Sequence, residues 1–462
     1  MRSAGKCRAW AVAAALSFAL IGPARAADFV TPPALRPQVD FWVSVFATWS
    51  KYQDAIHDTE HLDRVYSVLD YRDLAAQGVG DGQIDAAMRQ QEEAEKARIR
   101  QVLLRLDQAD PRQPLDAESE RLRVLFADDP SPTKYRDAAD PDRIRGQRGL
   151  RERFAHGLEI AHSYFPEMER IFREAGVPVE ITRLPMVESC FNMKAYSKVG
   201  AAGIWQFMPG TARNFMRVGD AVDERLDPII ATHAAATFMR QNYDKLGTWP
   251  LAIKAYNHGP AGMARAVRDT GTTDIATIIR DYHGPAFKFA SRNFYPEFLA
   301  ALHVEHNYQK YFGDLALHEP LRCDTVTLDQ ATSIAAAARC AGTDPWTLAE
   351  LNPSLLGAVQ SGRAAVPGGF PLRVPPGGGD RFDRCAATMP PVAMARRAPV
   401  ATGPVRGERT SARTRTVHRV AAGQTLASIA ARYGCSVDQL RRGNGLRGGS
   451  VRPGQLLRIP PC

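Results

Sequence analysis

Residues 176–211 read GVPVEITRLPMVESCFNMKAYSKVGAAGIWQFMPGT, and most of what the chain is can be worked outward from this stretch. Gly176 is suited to closing one helix and Pro178 to opening the next, which the pattern runs from Glu180 to about Glu188. Ile181, Leu184 and Val187 recur at three-residue spacing along that helix, so one face is apolar and faces a core. Glu188 ends the apolar run just before a polar, turn-forming segment. An acid placed there projects from a rigid element. If apolar neighbours shield it, its pKa rises and it can hold a proton near neutrality for donation to a leaving oxygen. The plainer reading is a surface glutamate at a helix end.

The residues downstream favour the first reading. Gly200-Ala201-Ala202-Gly203 permits close backbone approach, and Ile204-Trp205-Gln206-Phe207-Met208 sets an amide among large apolar groups. Apolar faces with a few orienting polar groups suit a sugar site. Trp205, Phe207 and Met208 are better explained as core, whereas Gln206 is awkward to bury without a partner. Ala255-Tyr256-Asn257-His258-Gly259 forms a second cluster at a helix stop. Tyr256 and Asn257 suit hydrogen bonding to a substrate, or alternatively a helix C-cap with a buried tyrosine; His258 reads as a cap residue and not a base.

Around these clusters the punctuation is helical throughout. Asp227-Pro228 is an N-cap with a first-turn proline for a helix closed by Gly247, and Thr248-Trp249-Pro250 opens another that stops at Asn257-His258-Gly259. Many short helices joined by loops give an all-α domain over 149–310. Upstream, residues 27–148 also read as helical, with Trp42, Phe46 and Trp49 on one face and a charged, alanine-rich surface helix at 90–105. Downstream, Thr325-Val326-Thr327 and Leu372-Arg373-Val374 bracket two helical patterns within 321–376. A Pro/Ala/Arg-rich linker at 390–415 reads as disordered. Residues 416–461 then repeat the strand, helix, helix, strand plan, each copy ending in a strand followed by a proline pair. The fold class expected is mainly α: an all-α catalytic domain, a helical N-terminal scaffold and two small βααβ modules.

Composition narrows the setting. The 462 residues exceed one compact core and carry a formal charge of +9, which favours an acidic partner without naming it. Arg2, Lys6 and Arg8, an apolar run from Trp10 to Ile21, and Ala24-Arg25-Ala26 mark residues 1–26 as a cleavable export signal, the rival reading being an uncleaved N-terminal anchor, for which the apolar run is short. That places the mature chain outside the cytoplasm, in the periplasm, with no integral membrane segment after cleavage, and argues against nucleic acid as the acidic partner. Six cysteines follow the signal (190, 323, 340, 385, 435 and 462), free to oxidise there but with no pairing fixed by sequence. None has metal-ligand spacing and the histidines are scattered, so neither metal nor cofactor is expected.

Three segments together resemble the lytic transglycosylase family of the goose-type lysozyme fold: Glu188-Ser189; Ser197 with Gly200-Ala201-Ala202-Gly203-Ile204-Trp205-Gln206-Phe207-Met208-Pro209-Gly210-Thr211; and Ala255-Tyr256-Asn257-His258-Gly259. Their order and spacing match the family, over roughly residues 149–306. Cys190 and Met193 depart from it, standing where the family has a small residue and a proline. Residues 416–461 resemble a LysM module, through Gly423-Gln424-Thr425-Leu426, Ile429-Ala430, Tyr433-Gly434, Asn444 and Pro453-Gly454-Gln455-Leu456. Residues 321–376 look like a degenerate copy, either glycan-binding or only a packing module.

The resemblance implies an enzyme of peptidoglycan. Glu188 alone would serve as acid and then base, cleaving the bond from N-acetylmuramic acid to N-acetylglucosamine and leaving 1,6-anhydro ends. No second acid lies within the three segments, in keeping with one carboxyl group. Asp220, Asp223 and Asp227 are better explained as caps or surface groups. Ser189, Ser197, Gln206, Tyr256 and Asn257 would line the saccharide subsites, with Tyr295 taken from Asn293-Phe294-Tyr295-Pro296, although aligning on Pro296 would select Phe294. The alternatives are a hydrolysing muramidase of the same fold and an inactive wall-binding protein.

Overall fold

The computed structural model describes residues 29–110, 112–386, 417–420, 425–426, 429–430, 437–446, 451–452 and 455–459. The leader expected at 1–26, the linker expected at 390–415, Cys435, Cys462 and several of the LysM turn residues lie outside these. The described chain is mainly α-helical. Among its described residues no helix is long and apolar enough to cross a membrane.

Helix α1 (Arg36–Ala47) buries Phe41, Trp42, Val45 and Phe46, the face that the Trp42 and Phe46 spacing predicts. Their partners are helices of the domain that follows. A continuous core runs from Leu35 to Val304, and the Trp42 indole donates a buried 3.1 Å hydrogen bond to Asn293 Oδ1.

The next segment corrects the helical expectation for 27–148. Strand β1 (Gln53–Asp58) lies between β2 (Val65–Asp70) and β3 (Ile144–Arg148) in an antiparallel sheet, covered by the long helix α2 (Asp81–Asp107). A central strand is buried on both faces and need not alternate, and β1 is buried from Asp54 to Asp58. Its acids disguised it. Asp58, fully buried, accepts from Arg143, from the Tyr66 hydroxyl and from two backbone amides, so its charge is compensated inside the fold.

The lysozyme-like domain follows as α3 (Arg151–Ala161), α4 (Phe165–Glu174), a 3-10 turn (Val179–Arg183), α5 (Leu184–Ser189), α6 (Pro228–Leu246), α7 (Trp249–His258), α8 (Pro260–Thr270) and α9 (Phe289–His306). The caps fall where the sequence puts them: Asp227 accepts from Ile229 and Ile230 N–H, and Thr248 from Leu251 N–H. Beyond α9, β4 (Asp324–Thr327), α10 (Ile334–Ala341), α11 (Pro345–Leu351) and β5 (Pro371–Val374) form the βααβ unit, with Asp324 opposite Val374. A disulfide joins Cys340 to Cys385, while Cys190 and Cys323 are free thiols. In the last unit β6 (Val417–Arg419) pairs with β7 (Leu456–Arg458), and α12 (Val437–Gly443) lies between them in sequence.

Candidate active site

Helix α5 is only six residues long, yet it is pinned at both ends. Pro185 occupies its first turn, and Leu184, Pro185 and Met186 are buried. It ends with Cys190 at φ 48° and Phe191 at φ 55°, left-handed positions that glycine usually fills. The amides of Cys190 and Phe191 return to the carbonyls of Met186 and Pro185, closing the last turn. Gly157 on α3 makes room for this: a Cβ there would stand 2.3 Å from the Cys190 carbonyl oxygen. The unusual Cys190 therefore sits at the turn that aims Glu188, and Gly157 is a supporting position the sequence alone did not reveal.

Glu188 keeps part of its surface open, yet its carboxyl is largely withdrawn from water. Burial, reinforced by the negative charge of Glu297, pushes its carboxyl up to about 8. Glu297, one residue past Pro296 on α9, is itself pushed up to about 8 by burial, against the pull of Lys254 and Arg145. Lys254, fully buried on α7, is driven down to about 7 by burial, and its Nζ has no hydrogen-bond partner. Glu297 is thus a second acid whose charge reaches Glu188, from outside the three segments within which the sequence has none. Its place, two residues beyond Tyr295 inside a long helix, carries no local sequence signal.

The predicted subsite residues act first on one another. Ser189 Oγ donates 3.1 Å to the Ile204 carbonyl, fastening the end of α5 to the Ile204–Met208 segment. Ser197 Oγ accepts from Ala201 N–H at 2.9 Å and ties the glycine turn. Gln206 sits at φ 49°, and its amide donates 2.8 Å to the Gly203 carbonyl. Gly203 has φ 72° and no space for a side chain, since a Cβ would lie 1.8 Å from the Arg225 carbonyl oxygen. The Tyr256 hydroxyl donates 2.8 Å to the Trp205 carbonyl, and burial together with the charge of Glu188 raises its pKa. Asn257 Oδ1 accepts from Ser291 Oγ at 3.2 Å, and Ser291 also meets His258 Nδ1 at 3.1 Å.

Tyr295 stands apart. Only 2% exposed, it lies in the core with its ring stacked 6.2 Å from Phe298. Phe294 is buried as well. Trp205 and Phe207 are core, as expected, and Trp205 stacks on Phe172 and bonds Thr232 through its indole N–H. Met208 is not core: it is 43% exposed and, with Tyr196 and Val199, leaves apolar surface open on residues flanking the glycine turn. Asp227 caps α6, Asp223 caps the short turn Glu224–Leu226 and Asp220 is exposed, as expected of them, but Asp223 is also buried in an ion pair with Arg225. Among the described residues no group of histidines, cysteines and acids could hold a metal ion.

A family model described as "Transglycosylase SLT domain" matches residues 169–279, and one described as "LysM domain" matches 418–460. The chain is 29% identical over 326 residues to membrane-bound lytic murein transglycosylase D of Escherichia coli strain K12, covering 69% of each protein. A 43-residue stretch is 56% identical to the probable autolysin SsaALP of Staphylococcus aureus, spanning 9% of this chain and 16% of that one. Among solved structures, an inactive mutant of lytic transglycosylase Slt from Pseudomonas aeruginosa aligns at 19% identity and a TM-score of 0.28, over 44% of this chain and 30% of that one. The SLT match lies over the segments that hold Glu188, Gln206 and Tyr256, with the LysM match behind it, and the chain is an enzyme similar to the lytic transglycosylases.

Proposed function

We propose that the protein cuts peptidoglycan between N-acetylmuramic acid and N-acetylglucosamine, with Glu188 as acid and then base. One observation carries this reading: a carboxyl held high, to about 8, at the end of a pinned helix beside the glycine turn. At neutral pH such a group is protonated. It gives its proton to the glycosidic oxygen as the bond from muramic C1 breaks, and Glu297, held neutral by burial, adds no repulsion to the carboxylate left behind. The resulting carboxylate takes the proton of the muramic C6 hydroxyl, whose oxygen closes on C1, so a 1,6-anhydro end forms and no water is consumed.

Ser189, Ser197 and Gln206 support this reading by holding the turn through their own hydrogen bonds. Tyr256 and Asn257 remain the polar groups for the saccharide, and exposed Tyr196 and Met208 offer apolar faces for sugar rings. Tyr295, buried against Phe298, serves the core instead of the saccharide. Residues 416–461 bind the glycan and keep the enzyme on the wall, in the periplasm where the leader would deliver it.

Glu297 favours one second reading, a muramidase that uses two carboxyl groups to activate water. Mass spectrometry of sacculus digests separates the two by one water. Anhydro products from the wild type, absent with Glu188→Gln, support the proposal. Hydrated, reducing ends that vanish with Glu297→Gln would replace it.

A further inference from the structure

The two βααβ units share one internal device. In the first, Asn352 Nδ2 donates to the carbonyls of Leu348 (2.8 Å) and Arg373 (2.7 Å), and Arg373 N–H donates back to Asn352 Oδ1 (2.9 Å). In the second, Asn444 Nδ2 donates to Leu440 (2.8 Å) and Arg458 (2.7 Å), and Arg458 N–H returns to Asn444 Oδ1 (2.6 Å). Arg373 and Arg458 are therefore equivalent positions of the repeat. Their side chains are not equivalent. Arg458 is exposed, whereas Arg373 is 6% exposed and grips Asp227 with both Nη groups, Nη1 at 2.9 Å from Oδ1.

Asp227 ends a segment caught between two partners. On one side, Asp223 N–H donates 2.9 Å to the Ser354 carbonyl, and Leu356 N–H donates 2.9 Å to the Ala221 carbonyl. Val222 lies in the module's own core, and Arg217 Nη2 reaches the Gly369 carbonyl at 3.1 Å. On the other side, Arg225, paired with Asp223, donates through Nη1 to the carbonyls of Gly200 (2.7 Å) and Phe207 (3.0 Å). Those two carbonyls flank the turn that carries Gly203 and Gln206.

We infer that the module at 321–376 is a brace for the catalytic cleft, with Arg373 as a positioning residue that holds segment 217–227 and, through Arg225, the 200–207 turn. The face of the module that carries Ser354, Leu356, Gly369 and Arg373 is thus occupied by the catalytic domain. A buried bidentate arginine–carboxylate contact suits this task because it fixes orientation as well as distance. Losing one partner leaves the other charge buried and loosens whatever it located.

The inference rests on the cleavage reading above, and the test separates them. In the full chain acting on soluble peptidoglycan fragments, Arg373→Ala should lower kcat by about 10- to 100-fold, the scale of a slight misplacement of reacting groups. KM should change far less, amide exchange over 195–210 should quicken, and Arg373→Lys should recover part of the loss. Arg363→Ala, at an exposed arginine of the same module that bonds Ser361, should leave kcat unchanged. Equal losses in both arginine variants, or an unchanged kcat and exchange in Arg373→Ala, would overturn the brace. Should Arg373→Ala not fold, native-state exchange of the wild-type chain decides: matched protection of the Asp223 and Leu356 amides supports it, and earlier opening of 321–376 with 200–207 still protected refutes it. If Glu188→Gln stays active, the cleavage reading falls while the exchange result stands on its own.

Discussion

Glu188 and Glu297 both keep part of their surface open, and burial pushes both carboxyls up to about 8, Glu188 at the end of α5 and Glu297 within α9. The Glu188 proton is held to about pH 8 in the folded chain against 4.5 for an ordinary glutamate, so across that window the folded state binds more protons than the unfolded one. Stability must then fall as pH rises from about 4.5 to 8. Glu188→Gln removes the titrating group, so it should stabilise the protein, by at least about 2–4 °C in Tm at pH 8 and little at pH 4.5. Calorimetry at the two pH values checks this, and equal shifts at both would contradict it. Turnover of the wild type should fall on the alkaline side as Glu188 loses its proton. Removing the repelling charge in Glu297→Gln should move that limb to lower pH, by less than about one unit, because burial outranks the charge. A pH profile of kcat on soluble fragments reads it directly. Glu188 was legible because it ends an amphipathic turn ahead of a glycine-rich segment. Glu297 was not, since an acid one residue after a proline inside a long helix has no local pattern to mark it.

Among the elements, the glycine turn has the narrowest tolerance. Gly203 combines a left-handed backbone with a carbonyl 1.8 Å from where a Cβ would go, so Gly203→Ala should cost about 2–4 kcal/mol through strain and overpacking together. Gly210, with nothing within 4 Å, provides the control: Gly210→Ala should leave thermal unfolding nearly unchanged. Matching Tm values for the two variants would show that the turn is softer than its geometry implies. The caps of α6 and α7 were readable because Asp-Pro and Thr-x-Pro pairs act locally on the first helical amides. The strands Gln53–Asp58 and Val65–Asp70 were missed for the opposite reason: pairing across the chain sets them, and β1 hides its acids in long-range bonds such as Arg143 to Asp58. Ser189, Ser197 and Gln206 do gather around one turn, but sequence could not tell that their first partners are backbone carbonyls and amides of that turn.

Across the whole molecule, the two βααβ units divide their duties. The one at 321–376 is tied into the catalytic domain, and the one at 416–461 is joined to the rest through a stretch of more than thirty residues, of which 387–416 lie outside the described structure. Deleting 417–462 should therefore weaken pelleting with sacculi by about 10²-fold, the scale of a lost tethered contact, and change turnover on soluble fragments less than twofold. Co-sedimentation and a soluble-fragment assay, run side by side, test the two halves. The order of the units was legible from the repeated strand and proline pattern. Which copy had been drawn into the enzyme was not, because it turns on Asp227, a cap whose second duty has no trace in its own neighbourhood.

Trp42 reaches across the molecule to Asn293, and with Phe41, Phe46 and Val45 it fills space between α1 and the catalytic helices. The SLT match begins at residue 169, so an obvious excision for a minimal enzyme would start the chain near Arg151. Such a fragment would leave an indole-sized void beside α9, strand the Asn293 amide and uncover a hydrophobic trough, and it should be recovered from cells as aggregate. Restoring residues 29–50 alone, on a flexible tether or as an added peptide, is the repair this geometry calls for.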